Sequence, residues 1–276
     1  MKRFEQFRPK KVDYSRKIGE RTVLWSMHEA ENVQFEEVGL VVPGIMAKRS
    51  LDDPYAEAMA ERGMAVATMA HQGASSLCSQ EVSLVASDLA QRYQRPVRLI
   101  GHSLGGIHAT LAAHDSPDDI SGVLLHQPAG YGGVYPTHFV ASLLDRPDNA
   151  HLGHELRVVY DGFDYFKSSR ADHLLRTVVM ASRYVAITKG AELADHIERS
   201  ALLFPDDKLI RAEKCKDGLS RAGFAWLDFD LTSWQHSKGG EYEYYPAGHN
   251  APMYYPEAVA DATISIVNGT SFGVAA

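Results

Sequence analysis

The decapeptide Val97-Arg98-Leu99-Ile100-Gly101-His102-Ser103-Leu104-Gly105-Gly106 constrains the fold of this chain more tightly than any other stretch. A short, mainly apolar run of strand character (Val97–Ile100) feeds G-x-S-x-G, and an alanine-rich helical segment, Ile107–His114, follows at once. A serine at the tip of so abrupt a strand-to-helix turn must take a strained backbone conformation. The residues two positions before and after it are then pressed together, which explains glycine at 101 and 105. The helix that begins just beyond Ser103 directs its N-terminal amides toward whatever the hydroxyl approaches, ready to hold developing negative charge. A glycine-rich surface turn with an incidental serine shares the same five letters. A strand before and a helix after separate the two, and both are present.

Segments of strand and helix character alternate around this turn, the pattern of a parallel sheet covered on both faces. Arg21–His28 alternates like an exposed early strand, and Val38–Val42 (VGLVV) is a continuous apolar run ended by Pro43-Gly44. Met64–Met69 (MAVATM) and Gly122–His126 (GVLLH) read as further strands. Helices are expected over Tyr55–Arg62, capped by Asp52 or Asp53 with Pro54 in its first turn, and over Gln80–Tyr93. From about Tyr131 to Ser200 helical periodicity runs without clear strands, and Leu174, Leu175, Val178, Val179 and Ser182 share a face that Val185 extends. Aromatic residues crowd this block, among them Tyr135, Phe139, Tyr160, Phe163, Tyr165 and Phe166. Strand character resumes at Ala201–Phe204. A helix over Arg211–Arg221, a short strand over Glu241–Tyr245 and a closing helix over Pro256–Val267 complete the pattern.

Composition excludes several classes. The net charge of −7, with no basic cluster beyond Arg8–Lys11, argues against nucleic acid as a partner, and that basic stretch reads as a solvated tail. Cys78 and Cys215 build neither a disulfide framework nor a metal-ligand set. The N-terminal MKRFEQFRPKK lacks the apolar core of a secretory leader, and no apolar run reaches the roughly 18 residues of a membrane span. A cytoplasmic location is the resulting expectation. His151 and His154 in HLGHE do not match the helical zinc motifs, and neither a Walker loop nor G-x-G-x-x-G occurs, so no metal and no cofactor is expected.

The string GHSLGG resembles the nucleophile elbow of lipases, esterases and thioesterases of the α/β-hydrolase superfamily. The resemblance implies a mostly parallel central sheet flanked by helices, with residues 1–130 and 200–276 as core and 131–199 as an inserted helical cap. It also implies a chain order of serine, acid, histidine. Among 13 histidines, His249 is singled out by PAGHNAP, a tight loop before the final helix that is similar to the family's Gly-His loop. For the acid, Asp207 with Ile210 matches the family's D-x-x-[VI] after the strand Ala201–Phe204, with Asp206 as second choice, since one carboxylate of such a pair ordinarily caps a helix. Pro43-Gly44-Ile45-Met46 stands where the family commonly has His-Gly-x-x, so the resemblance makes the backbone N–H groups of Ile45 and Leu104 the candidate oxyanion hole.

What this implies is a serine hydrolase acting on a carboxylic ester or thioester through Ser103, His249 and Asp207 and an acyl-enzyme. Its partner would be a small-molecule acyl substrate, partly apolar if the aromatic cap covers it. The same residues would also serve carbon–carbon bond hydrolysis or acyl transfer, and a catalytically silent binding module is the alternative from a different class.

Overall fold

The apolar runs pair side by side as one sheet. In the computed structural model, which describes residues 9–18, 21–30, 35–44, 49–69, 78–132, 185–207, 210–229, 231, 234 and 248–269, its strands are β1 (Lys10–Ile18), β2 (Arg21–Glu29), β3 (Glu37–Val42), β4 (Met64–Met69), β5 (Val97–His102), β6 (Ile120–His126), β7 (Glu198–Leu203) and β8 (Ala225–Asp228). They lie in the order β1-β2-β4-β3-β5-β6-β7-β8. Only the β1–β2 and β2–β4 pairs are antiparallel. Helices α1 (Arg49–Glu61), α2 (Ser79–Tyr93), α3 (Gly105–Asp115), α4 (Val185–Ala191), α5 (Ala212–Arg221), α6 (Ala251–Tyr254) and α7 (Pro256–Val267) cover the faces. The expected α/β architecture, a mostly parallel sheet flanked by helices, is the one observed. Among the described residues no helix is long and apolar enough to cross a membrane.

The two faces explain why the central strands lack apolar–polar alternation. Val38, Leu40, Leu99, Val123 and Leu125 point to one side, where they pack with Val85 and Leu89 of α2 and Ile107 and Ala112 of α3. Val41, Val66, Ile100, Leu124 and Leu202 point to the other, against Tyr55 and Met59 of α1 and Val259 and Ala262 of α7. A strand buried on both faces must be apolar at every position. Each large side chain so buried contributes about 1.5–3 kcal/mol, and a one-residue register slip would exchange the two sets.

At the sheet edge opposite the carboxyl ends of the parallel strands, Arg98 is only 2% exposed. Its Nη2 donates to Glu198 Oε2 at 2.8 Å on β7 and to Glu37 Oε1 at 3.2 Å on β3. The guanidinium crosses β6 at Gly122, where an ideal Cβ would lie 2.5 Å from Nη1. Strands β3, β5 and β7 are thereby tied together at that end.

Several elements differ from the sequence reading. Lys10 and Lys11, taken as part of a solvated tail, open β1, which pairs with β2 from Lys10↔Glu29 to Ile18↔Arg21. Charged residues dominate KKVDYSRKI because this is an edge strand. Its adhesion comes from Tyr14 stacked on its cross-strand partner Trp25 at 5.8 Å, with the Arg92 guanidinium 4.1 Å from the Tyr14 ring centre. Helix α1 starts at Arg49, so Pro54 lies inside it and neither Asp52 nor Asp53 caps it. Asp53 instead accepts from Lys11 Nζ, from Thr68 Oγ1 at 3.2 Å and from His28 Nε2 at 3.1 Å. Strand β8 was not anticipated, since AWLD is too short to show a period. The expected strand Glu241–Tyr245 lies outside the described residues.

The expected cap, 131–199, falls mostly outside them too, at 133–184. Its last part, however, is core. Ala186 and Ile187 of α4, then Leu193 and Ile197, join the cluster around α3, and β7 already begins at Glu198. Tyr131 is fully buried in the same cluster. An apolar stripe continuing through Val185 reports a buried face without reporting which neighbour buries it.

Two predictions follow from this packing. Asp52 is 2% exposed, and among the described residues its Oδ2 has no hydrogen-bond partner. Burial, and secondarily the Asp53 charge, push its carboxyl up from 3.8 to about 7. The unfolded chain releases this proton at lower pH than the folded one, so stability falls as pH rises through that window, by roughly 4 kcal/mol in all. Asp52→Asn will therefore melt at a higher temperature than wild type at pH 8, with the gain vanishing near pH 4. A pH-independent difference between the two melting curves would contradict it. Helix α3 starts so close to β3 that an ideal Cβ on Gly105 would lie 2.0 Å from the Val42 carbonyl oxygen and 2.6 Å from that of Pro43. Gly105→Ala will lower stability by about 3 kcal/mol or more in denaturant unfolding, because rigid backbone cannot give way.

Candidate active site

Ser103 follows the last residue of β5 with φ +54°, the left-handed region expected for a residue at the tip of this turn. Backbone hydrogen bonds hold it there. Its N–H donates to His126 O at 3.0 Å, and its carbonyl accepts from Gly106 N–H at 3.1 Å and Ala129 N–H at 2.9 Å. The expected crowding of 101 against 105 is present, since an ideal Cβ on Gly101 would lie 2.8 Å from Gly105 O, and further contacts add to it. An ideal Cβ on Gly101 would lie 2.7 Å from Gly106 Cα, whereas Gly105 abuts the end of β3. Ser103 is buried, at 8% exposure.

His249 sits in a 3-10 turn, Gly248–Asn250, just before α6. Gly248 has φ +45°, and an ideal Cβ there would lie 3.3 Å from Asp206 O, so glycine lets this turn settle against the loop after β7. His249 Nε2 is 2.8 Å from Ser103 Oγ and Nδ1 is 2.6 Å from Asp207 Oδ2. With the carboxylate accepting from Nδ1–H, Nε2 is the acceptor for the serine O–H, the tautomer that proton abstraction needs.

Of the two aspartates left open by the sequence, Asp207 is the one that adjoins His249. Its carboxyl is fully buried beside His249, while Asp206 is exposed. Asp207 Oδ1 accepts from Ile210 N–H at 3.0 Å, which turns Oδ2 toward the imidazole. A further carboxylate downstream of β7, Asp228, is bound to Lys216 Nζ at 2.7 Å.

The two candidate oxyanion donors differ in what is seen. Leu104 opens α3, and among the described residues no backbone carbonyl accepts its N–H. Ile45 lies outside them. Its neighbour Gly44 is described, and an ideal Cβ there would lie 3.0 Å from Ser103 Cβ, so the loop after β3 runs directly against the serine.

The sequence reading took His102 only as a letter of the elbow motif. It is 4% exposed, and its Nε2 lies 2.7 Å from the His249 carbonyl oxygen with the two rings 4.9 Å apart. Burial, and then the neighbouring His249, push its pKa down to about 3. It is therefore neutral, and Nε2–H donates to that carbonyl. Nothing in a single sequence distinguishes this histidine from a core filler. Both cysteines are free, and burial followed by the Asp207 charge pushes the Cys215 thiol up to about 12, which leaves it no thiolate character. Among the described residues no group of three His, Cys, Asp or Glu side chains is arranged to hold a metal, and His151 and His154 lie outside them.

The model of the alpha/beta hydrolase family matches residues 40–262. No curated protein matches the chain significantly in sequence. Among solved structures, a thermostable carboxyl esterase from Bacillus coagulans is 12% identical and superposes with a TM-score of 0.66 over 94% of this chain and 98% of its own. An enol-lactonase from Burkholderia xenovorans (10% identity, TM-score 0.66) covers 92% of this chain and 100% of its own. A bromoperoxidase from Bacillus anthracis (13%, 0.66) covers 93% and 100%. At such identities the likeness is one of fold, and the three proteins are named for different activities on it. The match runs over most of the chain, from within β3 into α7: the chain belongs to the alpha/beta hydrolase family, and it is a hydrolase.

Proposed function

We propose that the protein cleaves a carboxylic ester or thioester through an acyl-enzyme on Ser103. The observation that carries this reading is the His249 imidazole spanning Ser103 Oγ at 2.8 Å and Asp207 Oδ2 at 2.6 Å. A serine hydroxyl is a weak nucleophile until a base adjoins it, and the base needs an acceptor on its other nitrogen. As Ser103 Oγ bonds to the acyl carbon, its proton passes to His249 Nε2. The carbonyl oxygen becomes an oxyanion held by the Leu104 N–H and, in our assignment, the Ile45 N–H. Asp207 stabilises the imidazolium, which then protonates the leaving alkoxide or thiolate as the tetrahedral intermediate collapses. Water repeats the sequence with His249 as base, releasing the acid and restoring Ser103.

The esterase and enol-lactonase among the structural neighbours support an acyl carbonyl as the reacting group. Segment 133–184, between β6 and α4, carries the aromatic residues from Tyr135 to Phe166 and is our candidate for the cap over the apolar part of the substrate. The small-molecule acyl substrate and the absence of any required cofactor are part of the same proposal.

A fluorophosphonate probe tests it directly. The wild-type protein will be labelled and Ser103→Ala will not. On a panel of p-nitrophenyl esters and acyl thioesters of increasing chain length, Asp207→Asn will lower kcat by about 10^3- to 10^4-fold, the scale set by losing the orienting acid of such a constellation. Asp206→Asn will leave it unchanged. Folded wild-type protein that takes no label and turns over no member of the panel refutes the reading.

A further inference from the structure

We infer that Gln127 is a positioning residue, one that aims the Asp207 carboxylate at His249. The inference rests on the function just proposed and adds a residue to it. Gln127 follows β6 and is fully buried, with φ +41°. A non-glycine residue in the left-handed region is strained, and such strain persists only where surrounding contacts over-determine it.

Here the contacts are three hydrogen bonds, one to strand β7 and two to the loop that follows it. The Gln127 N–H donates to Leu202 O at 3.0 Å, on β7. The side-chain Oε1 accepts from Phe204 N–H at 2.5 Å, and Nε2 donates to Ile210 O. Phe204 and Ile210 are the two ends of the loop that carries Asp207. Within that loop the Asp207 N–H donates to Phe204 O at 3.0 Å, and the Ile210 N–H donates to Asp207 Oδ1 at 3.0 Å. The amide of Gln127 thus fixes both residues that fix Asp207. One oxygen of the carboxylate is held by Ile210, and the other is left for His249 Nδ1.

The same short turn also holds the serine. His126 O accepts from Ser103 N–H, and Ala129 N–H donates to Ser103 O. Residues 126–129 therefore form a strut between Ser103 and the acid loop, and the glutamine is the part of it that reaches the acid. An amide offers a donor and an acceptor on one planar group, which matches an N–H and a C=O at either end of a loop. A buried Met or Leu would leave both backbone groups unpaired and let the loop relax.

The test compares Gln127→Met, Gln127→Glu and Asp207→Asn with wild type on p-nitrophenyl acetate, with active sites counted by fluorophosphonate end-point labelling and folding checked by thermal melting. Gln127→Met will lower kcat per labelled site by about 10- to 100-fold with KM unchanged, the effect of a small misplacement in a catalytic constellation. Its far-downfield proton resonance, from the His249 Nδ1–H bond to Asp207, will shift or broaden. Gln127→Glu serves if the Met variant does not fold. Its protonated carboxyl can make both bonds, so at low pH it will approach wild-type kcat, and as pH rises it will lose activity that wild type keeps. The inference is overturned if Gln127→Met keeps wild-type kcat per labelled site, or if Gln127→Glu follows the wild-type pH profile. Either result beside an impaired Asp207→Asn removes only the role of Gln127. An unimpaired Asp207→Asn, or a wild type that does not hydrolyse the ester, removes the proposed function and this inference with it.

Discussion

A single left-handed residue, Ser103, organises the structure around it. A non-glycine residue in that conformation is strained by about 1–3 kcal/mol. It is held by three backbone hydrogen bonds and by the approach of the β3 end on one side and residues 126–129 on the other. Glycine at 44, 101 and 105 is a consequence of that crowding. Strands β3, β5, β6 and β7 are hydrogen-bonded neighbours, and their carboxyl ends meet at one rim. Residues separated by more than a hundred positions in sequence come within hydrogen-bond reach there.

The opposite rim is treated differently. Arg98 gathers two glutamates across three strands, with Gly122 making room for the crossing. A buried guanidinium is expensive unless paired, and two of its nitrogens, Nε and Nη1, have no partner. The cluster therefore reads as a device that fixes the register of the central strands more than one that adds stability. Fixed register at that end means fixed side-chain positions at the other.

Much of this was legible in the chain because it depends on local chemistry. The elbow is written in five consecutive residues, and the buried strands are continuous apolar runs. His249 was recognisable from its glycine and its place before the last helix. What was not legible depends on neighbours. Strand β1 is mostly charged and polar, and its pairing with β2 carries one aromatic contact, Tyr14 on Trp25, that no periodic pattern announces. Helix α1 begins a turn and a half before its apolar pattern does, since Asp52 is buried without any periodic signal. Asp206 and Asp207 are equivalent as letters, and only the packing of Phe204 and Ile210 makes one exposed and the other buried. Gln127 carries no motif at all: its importance lies in the separation of Phe204 N–H and Ile210 O, which no one-dimensional pattern records.

The bond from the His102 ring to the His249 carbonyl has a mechanical meaning of its own. It anchors the main chain of the imidazole's turn to the strand that bears the serine, a span of 147 positions closed by one uncharged contact. The turn that carries the imidazole is thereby fastened to β5, the strand whose next residue is the serine, so the two reacting groups share one mechanical reference.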